Sequence, residues 1–125
     1  MKYTLTYEIQ LPTMNQVIKS NRGNKYAAAS QKKKYTKLIA YYTLAQMKKE
    51  ITKKVDIKCN WYCKDKRTDK DNVSTGIKFI LDGLQEAGIL KNDGWNEIGY
   101  IHHYFYLDKD NPRIVLELQE IQEEI

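Results

Sequence analysis

Long apolar runs are missing from this 125-residue chain: none approaches the roughly 18 to 20 residues that a bilayer span needs, and the opening MKYTLTYEIQ does not have the form of a signal peptide. Neither a membrane protein nor a secreted one is expected. Cysteine occurs only at Cys59 and Cys63, too few for a disulfide scaffold or, alone, a four-ligand zinc site. A reducing, cytoplasmic setting is therefore expected. Proline appears twice and glycine six times, with neither between residues 28 and 52. Internal repeats and low-complexity linkers are absent as well. With 42% hydrophobic and 30% charged residues, the chain is expected to fold as one domain over residues 1–125 rather than to form a disordered tail.

What is present is an uneven charge. The net charge of +5 conceals 16 Lys/Arg against 4 Asp/Glu in residues 19–70, and 4 against 11 in residues 71–125. Basic density of that kind suits a surface that meets phosphates, and equally a solvated lysine-rich helix. Acidic residues gathering where the basic stretch ends favour the first reading.

Tyr3, Leu5, Tyr7 and Ile9 alternate with polar residues and predict a strand. The polar stretch Lys19–Asn24 predicts a mobile loop. A helix is expected over 28–52, with Tyr35, Leu38, Ile39, Tyr42 and Ala45 on one stripe. Lys32, Lys33, Lys34 and Lys37 crowd its first half and oppose the helix dipole, a small cost that an anionic ligand would offset. Val55, Ile57, Cys59, Trp61 and Cys63 alternate in a second strand. Both thiols share Trp61's side and suit packing, because the Cys-x-x-x-Cys pair has no second pair to complete a metal site. A second helix is predicted from about Asn72 to Ala87, with Val73, Ile77, Ile80, Leu81 and Leu84 inward and Gly88 at its end. Strands follow at 98–107 and 113–119, joined by Asp108–Pro112. The order β-α-β-α-β-β predicts an α+β fold, two helices packed on one mixed sheet. The acidic tail after Leu118 either extends the last strand or frays.

Asp-Lys-Asp-Asn occurs twice, at 69–72 and 108–111. The second copy, before Pro112 and between strands, is turn chemistry. The first opens a helix, where Asp71 or Asn72 can cap the backbone. Its surroundings suggest more. Asp69 and Asp71 follow Lys64, Lys66 and Arg67; Asp93 lies past the end of the same helix; and Asp71, Thr75, Lys78 and Asp82 share a helical face. Two carboxylates at i and i+2 can turn toward one Mg²⁺, which keeps waters and takes phosphate oxygens. A straight 16-residue helix would be ~24 Å long, so Asp93 joins them only if the following loop folds back or a second subunit supplies it.

The series Asp69-Lys70-Asp71-Asn72, Lys78-Phe79-Ile80-Leu81-Asp82-Gly83-Leu84, Ala87-Gly88 and Asn92-Asp93, with Leu11-Pro12 and Asn15 upstream, resembles the RusA-type Holliday junction resolvases. The resemblance implies a homodimeric, Mg²⁺-dependent endodeoxyribonuclease of bacteria or their phages, with Mn²⁺ as a substitute ion. Such an enzyme nicks four-way DNA symmetrically during recombination and repair. It assigns the essential carboxylates to Asp69, Asp71 and Asp93, as metal ligands, and the essential lysine to Lys78. Here the lysine follows the second aspartate by seven residues rather than four, and Asn92 stands where the family often has a further acidic residue. Asn72 and Asp82 are expected to support the site, Asn72 as a cap and Asp82 as an i, i+4 partner of Lys78.

Arg22, Lys25, Lys32, Lys33, Lys34, Lys64, Lys66 and Arg67 are the expected phosphate contacts, and Tyr26 and Trp95 are candidates for stacking on unpaired bases. His102 and His103 are expected to be structural. Two rival readings are a non-catalytic nucleic-acid-binding accessory protein and a flap-type structure-selective nuclease.

Overall fold

Among the described residues, four strands form one mixed sheet, accompanied by four helical segments. The computed structural model describes residues 1–121. In chain order the elements are β1 (Lys2–Tyr7), α1 (Met14–Gly23), α2 (Lys25–Gln46), β2 (Val55–Cys63), α3 (Lys70–Ser74), α4 (Ile77–Glu86), β3 (Ile98–Leu107) and β4 (Arg113–Glu120). The spatial order is β1-β4-β2-β3. β4 runs antiparallel to both β1 and β2, whereas β2 and β3 are parallel, so the sheet is mixed as expected. The acidic tail extends β4 as far as Glu120. Its last four residues lie outside the described residues.

One face of β1, β4 and β2 is apolar. Leu5 and Tyr7, then Ile114, Leu116 and Leu118, then Val55, Ile57, Cys59 and Trp61 are all buried. α2 and α4 cover that face with Ile39, Ala40 and Thr43 from one and Phe79, Ile80, Leu81 and Leu84 from the other. The expected pair of sheet-covering helices is thus α2 and α4. Cys59 is a core thiol, and burial pushes it up to about 12. The Tyr7 hydroxyl donates to Thr43 Oγ1 at 2.7 Å, because the Thr43 hydroxyl itself donates to Ile39 O. This chain of hydrogen bonds satisfies the polar atoms that the strand–helix contact buries. β3 is an edge strand, and Ile98 alone of its residues is buried.

Several expectations need correction. The stretch Lys19–Asn24 is not a loop, because α1 occupies Met14–Gly23. A capping box starts it: Thr13 accepts from Gln16 N, and the Gln16 side chain accepts from Thr13 N. α2 begins at Lys25, capped by the Asn24 side chain, and ends at Gln46. Lys32–Lys34 therefore stand two turns inside the helix, where the dipole penalty has faded. The helix expected over 72–87 is two helices. Around Thr75 and Gly76 the bonding changes to i→i−3, as in Gly76 N–H to Val73 O and Lys78 N–H to Thr75 O. Gly76 lies under Trp61, where a Cβ would stand 3.0 Å from the indole and 3.1 Å from Leu11. Asn72 sits inside α3 rather than capping it; the N-cap is Asp69, which makes no capping side-chain bond.

His103 is structural, as expected, but with a specific partner. The Trp61 indole N–H donates to His103 Nδ1 at 2.9 Å, and the two rings stack. That bond requires an unprotonated Nδ1, and burial, with help from His102, lowers the His103 pKa. The unfolded chain therefore takes up the proton first as pH falls. The stability from this pair is complete above about 6.5, the ordinary histidine value, and is lost as pH drops through the lower folded value. In a Trp95→Phe background, Trp61 emission is expected to shift red on acidification with a midpoint below 6.5, and His103→Phe to remove that midpoint.

Candidate active site

Lys78 projects from the first turns of α4, and its ammonium lies 3.1 Å from Asp82 Oδ1 and 3.5 Å from Asp93 Oδ2. The i, i+4 spacing places Asp82. A reversal after α4 places Asp93. Gly88 adopts a φ of 77°, the left-handed conformation that closes helices, and Ile89 and Leu90 both donate back to Leu84 O. Ile89 and Leu90 are buried, which returns the chain along α4. Asp93 then accepts Lys78, and its own N–H is held by the Asn92 side chain. Asp82 is the first cause, and Asp93 a further one, that hold the Lys78 pKa above the usual lysine value, so the ammonium is firmly cationic. The other Asp82 oxygen, Oδ2, is buried with no hydrogen-bond partner among the described residues. Lys78 and Asp82 line an open cleft whose other wall includes Val17 and Ile18 of α1 and Lys32 of α2.

Asp69, the N-cap, and Asp71, in the first turn, mark the start of the neighbouring α3, both exposed. Asp71 Oδ1 accepts from Asn72 N–H at 3.0 Å. Among the described residues neither Asp69 nor Asp71 has a cation within ion-pair distance, although Lys64, Lys66, Arg67 and Lys70 surround them in sequence. They border a groove of about 710 Å³ with Lys66, Lys70, Val73, Phe105 and Leu107.

The structure thus joins Lys78, Asp82 and Asp93 and sets Asp69 and Asp71 beside each other. Among the described residues no three carboxylate, imidazole or thiolate groups form a ready-made metal site, so Asp93 does not close a three-carboxylate cage with Asp69 and Asp71 within the chain. The donors nevertheless suit a hard cation. Two unneutralised carboxylates separated by one residue are what Mg²⁺ takes from a protein when substrate phosphate and water fill its remaining positions.

The expected phosphate contacts are all exposed: Arg22 in α1; Lys25, Lys32, Lys33 and Lys34 in α2; and Lys64, Lys66 and Arg67 after β2. Lys32 reaches the Lys78 cleft and Lys66 the Asp69 groove. Arg67 is turned partly toward Asp65, at 3.9 Å. Tyr26 and Trp95 are open to solvent. Phe105 and Leu107 were not singled out by the sequence. The only signal was their alternation past His103, toward a side of β3 that the helices leave bare.

Among the described residues no helix is long and apolar enough to cross a membrane. No curated protein matches the chain. Residues 9–119, which hold Asp69, Asp71, Asp82, Asp93, Lys78 and all of the basic segment, match the family described as Endodeoxyribonuclease RusA, and the chain belongs to that family.

Proposed function

We propose that the protein is a divalent-metal-dependent nuclease that resolves four-way DNA junctions by paired nicks, as a homodimer, in recombination and repair. The observation that carries this reading is the pair of unneutralised carboxylates, Asp69 and Asp71, in a lysine-rich segment; on the next helix Lys78 is fixed by Asp82 and Asp93. Asp69 and Asp71 would hold Mg²⁺, and Asp93, with Asp82, would orient the Lys78 ammonium. When bound, the ion supplies Lewis acidity to the phosphate and makes water acidic enough to attack. In the reaction, oxygen from water bonds to phosphorus, one phosphorus–oxygen ester bond breaks, and the departing sugar oxygen takes up a proton. Lys78 keeps its charge and is aimed by two carboxylates, so it stabilises negative charge developing on the phosphate without reorganising. The exposed lysines of α2 and of the loop after β2 grip backbone phosphates and carry no sequence information. Two phosphates related by the junction's symmetry require two such sites, hence two copies of the chain.

A panel of duplex, flap and four-way DNA tests this. Symmetric nicks in the four-way substrate, abolished by EDTA and restored by Mg²⁺ or Mn²⁺, are the expected result. Equal cutting of flaps would make the enzyme a general structure-selective nuclease. Binding without nicking under any divalent ion would leave a non-catalytic accessory protein.

A further inference from the structure

We propose that the groove between β3 and the Asp69–Asp71 segment is a nucleobase subsite: it receives one unstacked base of the strand being cut, while the adjoining phosphate lies at the two aspartates. The inference rests on the nuclease reading above and adds what that site recognises.

Phe105 and Leu107 alternate on the side of β3 that continues the core face, in register with Trp61 and Cys63. A buried strand would have these side chains covered by a helix. Here Leu107 is 57% exposed and Phe105 only half-buried. Val73 of α3 faces them across the groove. The floor is therefore apolar and partly aromatic, while its rim carries Lys66 and Lys70 beside Asp69 and Asp71. The Lys70 ammonium lies over the Phe105 ring, 5.7 Å from its centre, on the face that a base would take as the ammonium turns to its phosphate. A volume of about 710 Å³ falls within the span of small-ligand sites.

A ligand that fits must offer a flat apolar ring and, a few ångströms away, an anion. A nucleotide is such a ligand. Its base rests on Phe105, its phosphate meets Lys66 and Lys70, and the neighbouring phosphate reaches the carboxylates. Paired bases inside duplex DNA are held in the stack, whereas those at a branch point leave it at least cost. The groove thereby favours branched substrates without reading a sequence.

The test uses the full chain and four-way junctions carrying a single 2-aminopurine at each nucleotide flanking the branch. Without divalent ion, wild-type binding is expected to raise emission at one position as that base leaves the DNA stack, and Phe105→Trp to quench it there. Phe105→Ala and the solvent-side Leu107→Ser should keep junction affinity within about threefold, since backbone contacts set it, yet lower Mg²⁺-dependent nicking by about 10- to 100-fold. Nicking at the wild-type rate in both variants, or no position that responds, overturns the proposal. So does a change of molecular mass in Leu107→Ser, which would make the groove a contact between two copies of the chain. A wild-type protein that neither binds nor nicks junctions defeats the parent reading instead.

Discussion

Asp71→Asn is expected to abolish metal-dependent nicking of four-way DNA, with at least about a thousandfold loss in rate, while junction binding stays equal or becomes slightly tighter. The Asp71 carboxylate is exposed and, among the described residues, accepts only the Asn72 N–H, at 3.0 Å. An asparagine oxygen can still accept that bond, so thermal stability should move by no more than about 0.5 kcal/mol. What disappears is one negative charge beside Asp69. That loss removes a ligand for a hard cation and a repulsion toward DNA phosphate. Nicking assays, gel shifts and thermal melts on one preparation separate the three effects. A variant that retained a tenth of the wild-type rate would show that Asp71 does not serve the chemistry.

Gly83→Ala should be the most damaging single-methyl change in the fold. Gly83 is buried where α4 crosses α2, and a Cβ there would sit 2.5 Å from Ile39 Cβ and 3.1 Å from the Thr36 carbonyl. Because the contact involves Ile39 Cβ and backbone, no rotamer change relieves it, and the two helices must move apart. Overpacking of this kind costs about 3 kcal/mol, and the melting temperature of a chain this size should fall by roughly 10 °C. Differential scanning calorimetry reads this directly. Nicking should weaken as well, since separation of the helices widens the cleft between Lys32 and the Lys78–Asp82 pair. A melting temperature unchanged within 2 °C or so would mean that α2 and α4 pack less tightly than described.

β1 and β2 were legible because alternation with a period of two fits a half-buried strand and little else, and β3 and β4 also fall at the expected segments. Helix boundaries were less so. Ser20, Asn21, Arg22, Gly23 and Asn24 have the composition of a turn, and only the Thr13 and Gln16 pair announced α1. The apolar stripe of Val73, Ile77, Ile80 and Leu84 runs straight through Thr75 and Gly76, so periodicity concealed the break there, where Gly76 packs against Trp61. Strand order is a property of distant pairings and left no trace in local pattern. The candidate site divided along the same line. Lys78 and Asp82 follow from helical spacing, whereas the approach of Asp93 depends on the reversal at Gly88, and the groove at Phe105 on how far two helices extend across a sheet.

β4 comes last among the described strands, yet it lies between β1 and β2 and is hydrogen-bonded to both. During synthesis β1 leaves the ribosome more than a hundred residues ahead of its partner, with Lys2 waiting for Gln119 and Tyr7 for Ile114. Pairings so remote in sequence close slowly and leave apolar edges bare in the meantime. The nascent chain is therefore a natural client for chaperones, and truncations that remove β4 should yield aggregates rather than a smaller working enzyme.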